Sequence, residues 1–418
     1  MDEQNTPVAP RRDRKSRRPR RRSARLPGLF AAIIACVLCI AITAGAMCLL
    51  FFGRFGGVSN FKLARKLAEV KDVVDKNYIG EIKDQDIIDS AAAAMVTAAG
   101  DQWSYYMTPE EYVAYQMYSA NEYAGIGVTI QAESTSGGYR IVAVTADSPA
   151  SKAGLVAGDV ILSVDGTDVS GKTLGEVQQL IRSKVDRTIA FTIRGTDGQS
   201  RTVNVDCTVI HTNPVSYELL EGNIGYIKVT NFGSESGSGA VKAVDQLLAD
   251  GAVSLIFDMR GNPGGKLNEL ITLLDHILPE GDIFVSVDKS GKETVTRSDN
   301  ICVKVPMCVL VNGSTYSAAE FFAAALQEYD WATIVGEQTS GKGRSQTTIV
   351  LSDGSAVHIS SAKYLTPQRT DLSETGGVVP DIVRSQVMET VTDPETGEII
   401  EQESETDAQL EAAIAALQ

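Results

Sequence analysis

Residues 307–351 read MCVLVNGSTYSAAEFFAAALQEYDWATIVGEQTSGKGRSQTTIVL, and this stretch decides the fold. MCVLV is a short apolar run closed by Asn312-Gly313, which reads as a strand with its turn. Residues Ser317–Tyr329 read as a helix, and ATIVG (332–336) and QTTIVL (346–351) read as further strands. The same alternation runs upstream through GYIKVTNF (225–232), a helix around Ala240–Ala249, SLIFDMR (254–260) and a helix over Lys266–Leu278. Strands alternating with helices predict an α/β core in which helices cover a largely parallel sheet.

Further upstream the period changes. GIGVTIQAE (125–133), GYRIVAVTA (138–146), DVILSVDG (159–166), RTIAFTIRG (187–195) and RTVNVDCTV (201–209) are short alternating runs with turn signals between them. One helix interrupts them, with Leu174, Val177, Leu180 and Ile181 on one face. This is a compact strand-rich module of about 85 residues. Residues 58–120 read as helical: Leu63, Leu67, Val70, Val73 and Val74 recur at helical spacing, and a second apolar run covers Ile87 to Ala99. A third helix starts with Thr108 as N-cap and Pro109 in the first position. This region is expected to serve in packing or dimerisation.

Charge is distributed unevenly. The 418 residues carry a net charge of −15, yet residues 1–25 hold ten Lys/Arg against three acidic residues, a local +7 that leaves −22 for the rest. So acidic a bulk argues against a nucleic-acid partner. From Leu26 to Phe52 no residue is charged, a stretch long enough to cross a bilayer as a helix. The basic residues before it place the amino terminus in the cytoplasm and the chain from about Gly53 outside. The reading is a single-pass cell-membrane protein with an extracytoplasmic catalytic domain. A cleavable signal peptide ending near Ala44-Gly45-Ala46 is the alternative. Of six cysteines, three (Cys36, Cys39, Cys48) lie in this segment, so no disulfide framework is expected. At the other end, eight acidic residues and no basic one fall between Glu389 and Asp407, ahead of a short amphipathic helix, Ala408–Leu417.

The chemistry is narrowed by elimination. A Ser-His-Asp triad would need His211, His276 or His358, and the last two read as partly exposed surface residues. HExxH, paired CxxC and GxSxG are absent, which removes the signatures of zinc hydrolysis and of the α/β-hydrolases. Gly336–Lys342 matches GxxxxGK, but Gly343 follows where a magnesium-binding hydroxyl belongs, and the next segment is a strand. Ser360-x-x-Lys363 lies in a strand with neither SDN nor KTG nearby.

What remains is Ser317, Lys342 and the turn Arg260-Gly-Asn-Pro-Gly-Gly265. Ser317-Ala-Ala-Glu320 is by itself a capping box. A serine at a helix start also sits beside free backbone N–H groups suited to an oxyanion. Such a serine needs a base, and a lysine serves once burial lowers its pKa by roughly 3 units. Lys342, between Gly341 and Gly343, can be packed tightly enough for that.

Together these residues resemble the carboxyl-terminal processing proteases, the tail-specific serine peptidases, over roughly residues 60–385. DMRGNPGG (258–265) resembles the family's D-x-R-x-N-x-G-G turn, and GEQTSGKGRSQ (336–346) its lysine segment. LVNGSTYSAAEFFAAAL (310–326) resembles the segment around the nucleophile, with Lys342 the expected 25 residues after Ser317. The closing strands LSDGSAVHISSAKYLTP and GGVVPDI are also similar. The resemblance implies a crotonase/ClpP-like α/β core with an inserted PDZ domain, Ser317 as nucleophile, Lys342 as base and Gln346 orienting the lysine. It further implies oxyanion donors on Gly264 and Ala318, with Gly265 as the alternative to Gly264. In the strand-rich module, Gly125, Ile126, Gly127 and Val128 resemble a PDZ carboxylate-binding loop, and SPASKAGLVAGDVILSVDG resembles a PDZ core. The implied partners are proteins with accessible C-termini; no cofactor or metal is required. Ala319, Tyr316 and Glu328 depart from the family pattern, and Tyr316 is expected to reshape the pocket.

The chain thus divides into a basic cytoplasmic segment (1–25), a transmembrane anchor (26–53), an N-terminal helical region (58–120), a PDZ domain (121–208), a peptidase core (209–386) and an acidic tail with a short helix (387–418). The helical regions at both ends suit a homodimer. A catalytically silent PDZ scaffold and a crotonase-like acyl-transfer enzyme are the competing functions.

Overall fold

The computed structural model describes residues 26–54, 58–133, 137–386, 388–392, 399–403 and 406–418. The basic segment 1–25 and part of the acidic tail lie outside the described residues. The chain divides into two compact units, Met1–Ile87 and Ile88–Gln418.

In the first unit, Leu26–Arg54 is one helix, within which Phe30–Cys48 (19 residues) is long and apolar enough to cross a membrane, with none of it buried in the protein. A second helix, Val58–Asn77, carries the expected apolar stripe, and Leu63, Leu67, Val70 and Val73 are exposed along it. Lys71–Asp75 and Asp72–Lys76 pair one turn apart on its surface, contacts worth a few tenths of a kcal/mol each.

In the second unit, Pro109–Ser119 begins as its sequence dictates. Thr108 accepts from the Glu111 N–H, and the Glu111 carboxylate accepts from the Thr108 N–H. The strand-rich module forms a seven-stranded sheet around a core that includes Ile141, Ile161, Ile189 and Phe191. Its helix, Leu174–Arg182, buries Val177 and Ile181 against that core. Val128–Ala132 ends the strand order and so leaves one edge of the sheet open.

The α/β core holds a six-stranded sheet in the order Ile382–Val383, Thr333–Gly336, Met307–Val311, Ser254–Asp258, Ile224–Val229, Val215–Leu220. All neighbours are parallel except the last pair. Successive side chains of a strand point to opposite faces, and the two core clusters divide accordingly. Leu255, Phe257, Val309 and Val311 meet the helices Ser236–Ala249, Leu267–Ile277 and Ala318–Glu328. Ile256, Cys308, Leu310 and Val335 face the other way, onto Leu410, Ala413 and Ile414 of the C-terminal helix Ala408–Ala416. The short amphipathic helix that follows the acidic stretch is therefore a layer of the core. It is pinned by Arg260, which donates to Asp407, Gln409 and the fully buried Asp258.

The alternation of strands and helices does not foretell a second sheet. Tyr105–Met107, Ala356–Leu365, Gly281–Asp288 and Glu293–Ser298 are hydrogen-bonded in that order, with Arg344–Val350 also on Ala356–Leu365, and every pairing is antiparallel. The helix Ala318–Glu328 lies between the sheets. Phe322 packs edge-on to Phe257 (centroids 5.2 Å apart), while Phe321 packs on Phe284 (4.9 Å) and Tyr364 (5.5 Å). Nine of its residues, Ala318 to Leu326, are buried, which explains the run of alanines and phenylalanines with hardly a polar break.

Candidate active site

Two loops at the C-terminal ends of adjacent parallel strands build the site. Asn262 ties them together: its Nδ2 donates to Val229 O, its Oδ1 accepts from the Gly264 N–H, and its carbonyl accepts from the Tyr316 N–H. Thr315, fully buried, donates its hydroxyl to Met259 O at 2.8 Å. Gly264 packs so closely on the second loop that a Cβ there would fall 2.7 Å from both Ser317 Cβ and Ala318 N. Only glycine fits, which gives the Gly-Gly pair of the turn its structural reason.

Ser317 is not the helix cap its sequence predicts. It has φ 59° and ψ −125°, and its side chain makes no capping bond. A positive φ is uncommon for a residue other than glycine and marks a sharp, strained turn from strand into helix. The turn is an elbow without the GxSxG signature; Thr315 and Ala319 occupy the flanking small positions. Glu320, the expected capping partner, is fully buried and turned to the lysine segment. It accepts from the Gly341 N–H (2.6 Å), the Lys342 N–H (2.9 Å) and the Thr339 hydroxyl. Burial raises its pKa, against the lowering pull of these donors and of the Ser317 N–H. The carboxylate that reads as a cap is thus the fastener between the serine helix and Lys342.

Lys342 is buried, and burial lowers its pKa to about 8 against the opposing pull of Asp101 and Glu320. Its Nζ stands 4.6 Å from the centre of the Trp103 ring and 6.0 Å from that of Tyr316. Tyr364 links the serine helix to the lysine segment: its ring packs on Phe321, four residues after Ser317, and its hydroxyl donates to Lys342 O. Among the described residues no hydrogen bond joins Ser317 and Lys342 directly.

Ser317, Lys342, Gln346, Gly264 and Ala318 line one cleft of about 530 Å³. Gly125, Ile126, Gly127 and Val128 do not line it; they form the turn into the open edge strand of the seven-stranded sheet. Two of the cleft residues are engaged elsewhere in this arrangement. Gln346 donates its Nε2 to Arg344 O and Ser360 Oγ, both at 3.0 Å, and among the described residues no hydrogen bond joins it to Lys342. The Gly264 N–H is taken by Asn262 Oδ1 at 2.8 Å, so it serves an oxyanion only by giving up that bond.

His358 is partly exposed, as its sequence reading has it, and its exposed side opens on the cleft. It lines the cleft, packs at a tilt against Tyr105 and Tyr115 with centroids 4.9 and 5.5 Å away, and shares a 2.8 Å bond with Thr348 Oγ1. Burial, and then the nearby Lys342, push its pKa down to about 4, so it is neutral where the lysine titrates. Trp103, Tyr364 and His358 carry no local signal. Each reaches the cleft through strand pairing, since Tyr105–Met107 runs beside Ala356–His358.

Comparison with known proteins identifies the family. The pattern of Peptidase family S41 matches residues 223–384, and that of the PDZ domain matches residues 140–195. The carboxy-terminal processing protease CtpA of Bacillus subtilis (strain 168) is 32% identical over 340 residues, covering 81% of this chain and 72% of that protein. The carboxyl-terminal-processing protease of Synechocystis sp. is 33% identical over 304 residues, 71% of each. Among solved structures, the photosystem II D1 C-terminal processing protease aligns with a TM-score of 0.47 at 28% identity, over 79% of this chain and 88% of that one.

Proposed function

The chain belongs to peptidase family S41, as a carboxyl-terminal processing serine protease with a PDZ domain, and on that premise we propose how it works and where. It is an extracytoplasmic endopeptidase held to the cell membrane by Leu26–Arg54, and it cleaves proteins near their C-termini. Ser317 is the nucleophile and Lys342 the general base. One observation carries this reading: a strained serine and a buried lysine with a lowered pKa line the same cleft, held together by Glu320 and Tyr364.

Neutral Lys342 Nζ accepts the Ser317 proton as Oγ attacks the scissile carbonyl, and the resulting ammonium then protonates the leaving amine. Water repeats the cycle on the acyl-enzyme. The Ala318 N–H, at the first turn of a helix, is one oxyanion donor, and the 264–265 turn supplies the second. For Gly264 to be that donor it must release Asn262; otherwise Gly265 takes the role. Gln346 acts on Lys342 through its Oε1, the acceptor left over by the Nε2 bonds to Arg344 O and Ser360 Oγ. Exposed Leu67 and Val70 are where a second copy of the chain would pack.

The lysine imposes a direction on pH dependence. It is charged and inactive below its pKa, so kcat/KM is expected to rise with pH through one ionisation near 8 and then level off. A profile centred near 6.5 would point to a histidine instead.

Delivery through the PDZ domain is supported by the open edge strand Val128–Ala132 beside the Gly125–Val128 loop, to which an extended C-terminus can add as a further strand. Replacing a substrate's apolar C-terminal residues with aspartate is then expected to raise KM about tenfold or more while kcat stays within about twofold. Equal KM for the two substrates would overturn PDZ delivery without touching the dyad.

A further inference from the structure

Lys342 Nζ lies in a cleft with no acceptor to hold it: among the described residues no hydrogen bond ends on this nitrogen. A buried ammonium without a partner is costly, yet two aromatic faces stand where an acceptor would be. Trp103 and Tyr316 have ring centroids 5.8 Å apart at an interplanar angle of 31°, and Nζ faces both. Building on the reading of Lys342 as base, we infer that Trp103 is a positioning residue for it: with Tyr316, its indole forms an aromatic platform that holds Nζ in the cleft.

The platform is rigid because the fold fixes it to the strand that borders the lysine. The Asp101 carboxylate accepts from the Trp103 N–H (3.3 Å) and from the Ser104 hydroxyl. Ser104 Oγ accepts from the Ser360 N–H (3.0 Å), and Tyr105–Met107 then pairs with Ala356–His358. That same strand carries Tyr364, whose hydroxyl donates to Lys342 O, and pairs with Arg344–Val350 just beyond the lysine. Platform and lysine are therefore referenced to one strand.

The other groups facing the lysine cannot do this work. Asp101 and Glu320 act on it through space, and Glu320 is engaged with backbone N–H groups. His358 is neutral, the Tyr364 phenol bonds the lysine's carbonyl, and Arg344 acts on Asp101. The π face favours the ammonium, whereas burial favours the free amine. Leucine in place of Trp103 would keep the apolar cover and remove the face.

Two measurements on the full-length protein test this. In a Trp331→Phe background Trp103 is the only tryptophan; Trp331 sits against the core, donating to Val303 O, and does not line the cleft. Trp103 emission is expected to titrate between pH 6 and 9.5 with the midpoint of the activity profile, and that titration should vanish in Lys342→Ala. Separately, Trp103→Leu should move the rising limb of kcat/KM about one pH unit lower and reduce its plateau about tenfold, with Trp103→Phe recovering most of both. Emission that ignores pH, or that titrates unchanged without Lys342, would overturn the platform, as would a limb left in place by Trp103→Leu. Activity surviving in Lys342→Ala would instead sink the base assignment, and the emission titration would still report on whether the lysine rests on the indole.

Discussion

Ser317→Ala and Lys342→Ala are each expected to lower kcat/KM on an unfolded protein with an apolar C-terminus by about 10⁴- to 10⁶-fold, and the double variant should lose no more than the worse single one. Residues that act as one unit fail together, because a nucleophile without its base and a base without its nucleophile are equally idle. The expected loss is chemical. The Ser317 side chain caps no helix. For Lys342 the balance runs the other way. Its folded pKa is about 8, below the ordinary 10.5, so the folded state binds the proton less readily than the unfolded chain. Below pH 8 the charged lysine destabilises the fold in full, and the penalty fades as pH rises from about 8 towards 10.5. Lys342→Met should therefore be inactive yet more stable at pH 7, by up to about 3 kcal/mol, with the gain disappearing above pH 10. Thermal denaturation at pH 7 and pH 10 checks the sign. A variant that loses activity and stability together would mean that the lysine is structural.

The second large effect is expected far from the cleft. Ala413 is fully buried in the cluster that holds Ile256, Cys308, Leu310 and Val335, so Ala413→Asp would bury a carboxylate with no partner. We expect it to cost about 4 kcal/mol or more, lowering the melting temperature by roughly 8–16 °C or leaving the core insoluble. Asp407→Ala should act in the same direction by removing a partner from Arg260, itself largely buried, and such losses cost about 3–5 kcal/mol. Because Arg260 opens the turn that carries Asn262 and Gly264, Asp407→Ala is also expected to impair cleavage. If both variants melt like the parent protein, the C-terminal helix is not a layer of the core.

This helix illustrates where sequence reading stops. Ala408–Ala416 follows an acidic stretch, and its own residues say that it is a short amphipathic helix but not which surface its apolar face covers. Its role depends on what the sheet offers it: Ile256, Cys308 and Leu310, every second residue of two central strands, need cover on that face. The strands themselves were readable as buried, but which helix covers which face is set by chain topology. Ser317 is a similar case. Its segment reads as a capping box, yet Glu320 is drawn away by three donors of the 339–342 loop, contacts that span about twenty residues.

The amino-acid sequence alone determined the α/β alternation, the strand-rich module, the apolar amino-terminal helix and the Ser317, Lys342 and glycine-turn set, because each rests on a local period or a fixed spacing. Only the tertiary structure decided that Ser317 sits in a strained elbow, that Gln346 and the Gly264 amide are engaged elsewhere, and that Trp103 and His358 face Lys342. These outcomes depend on pairings such as Tyr105 with His358, across some 250 residues of chain. A strand's own side chains record that it will be buried, and the partner it finds is chosen by everything folded in between.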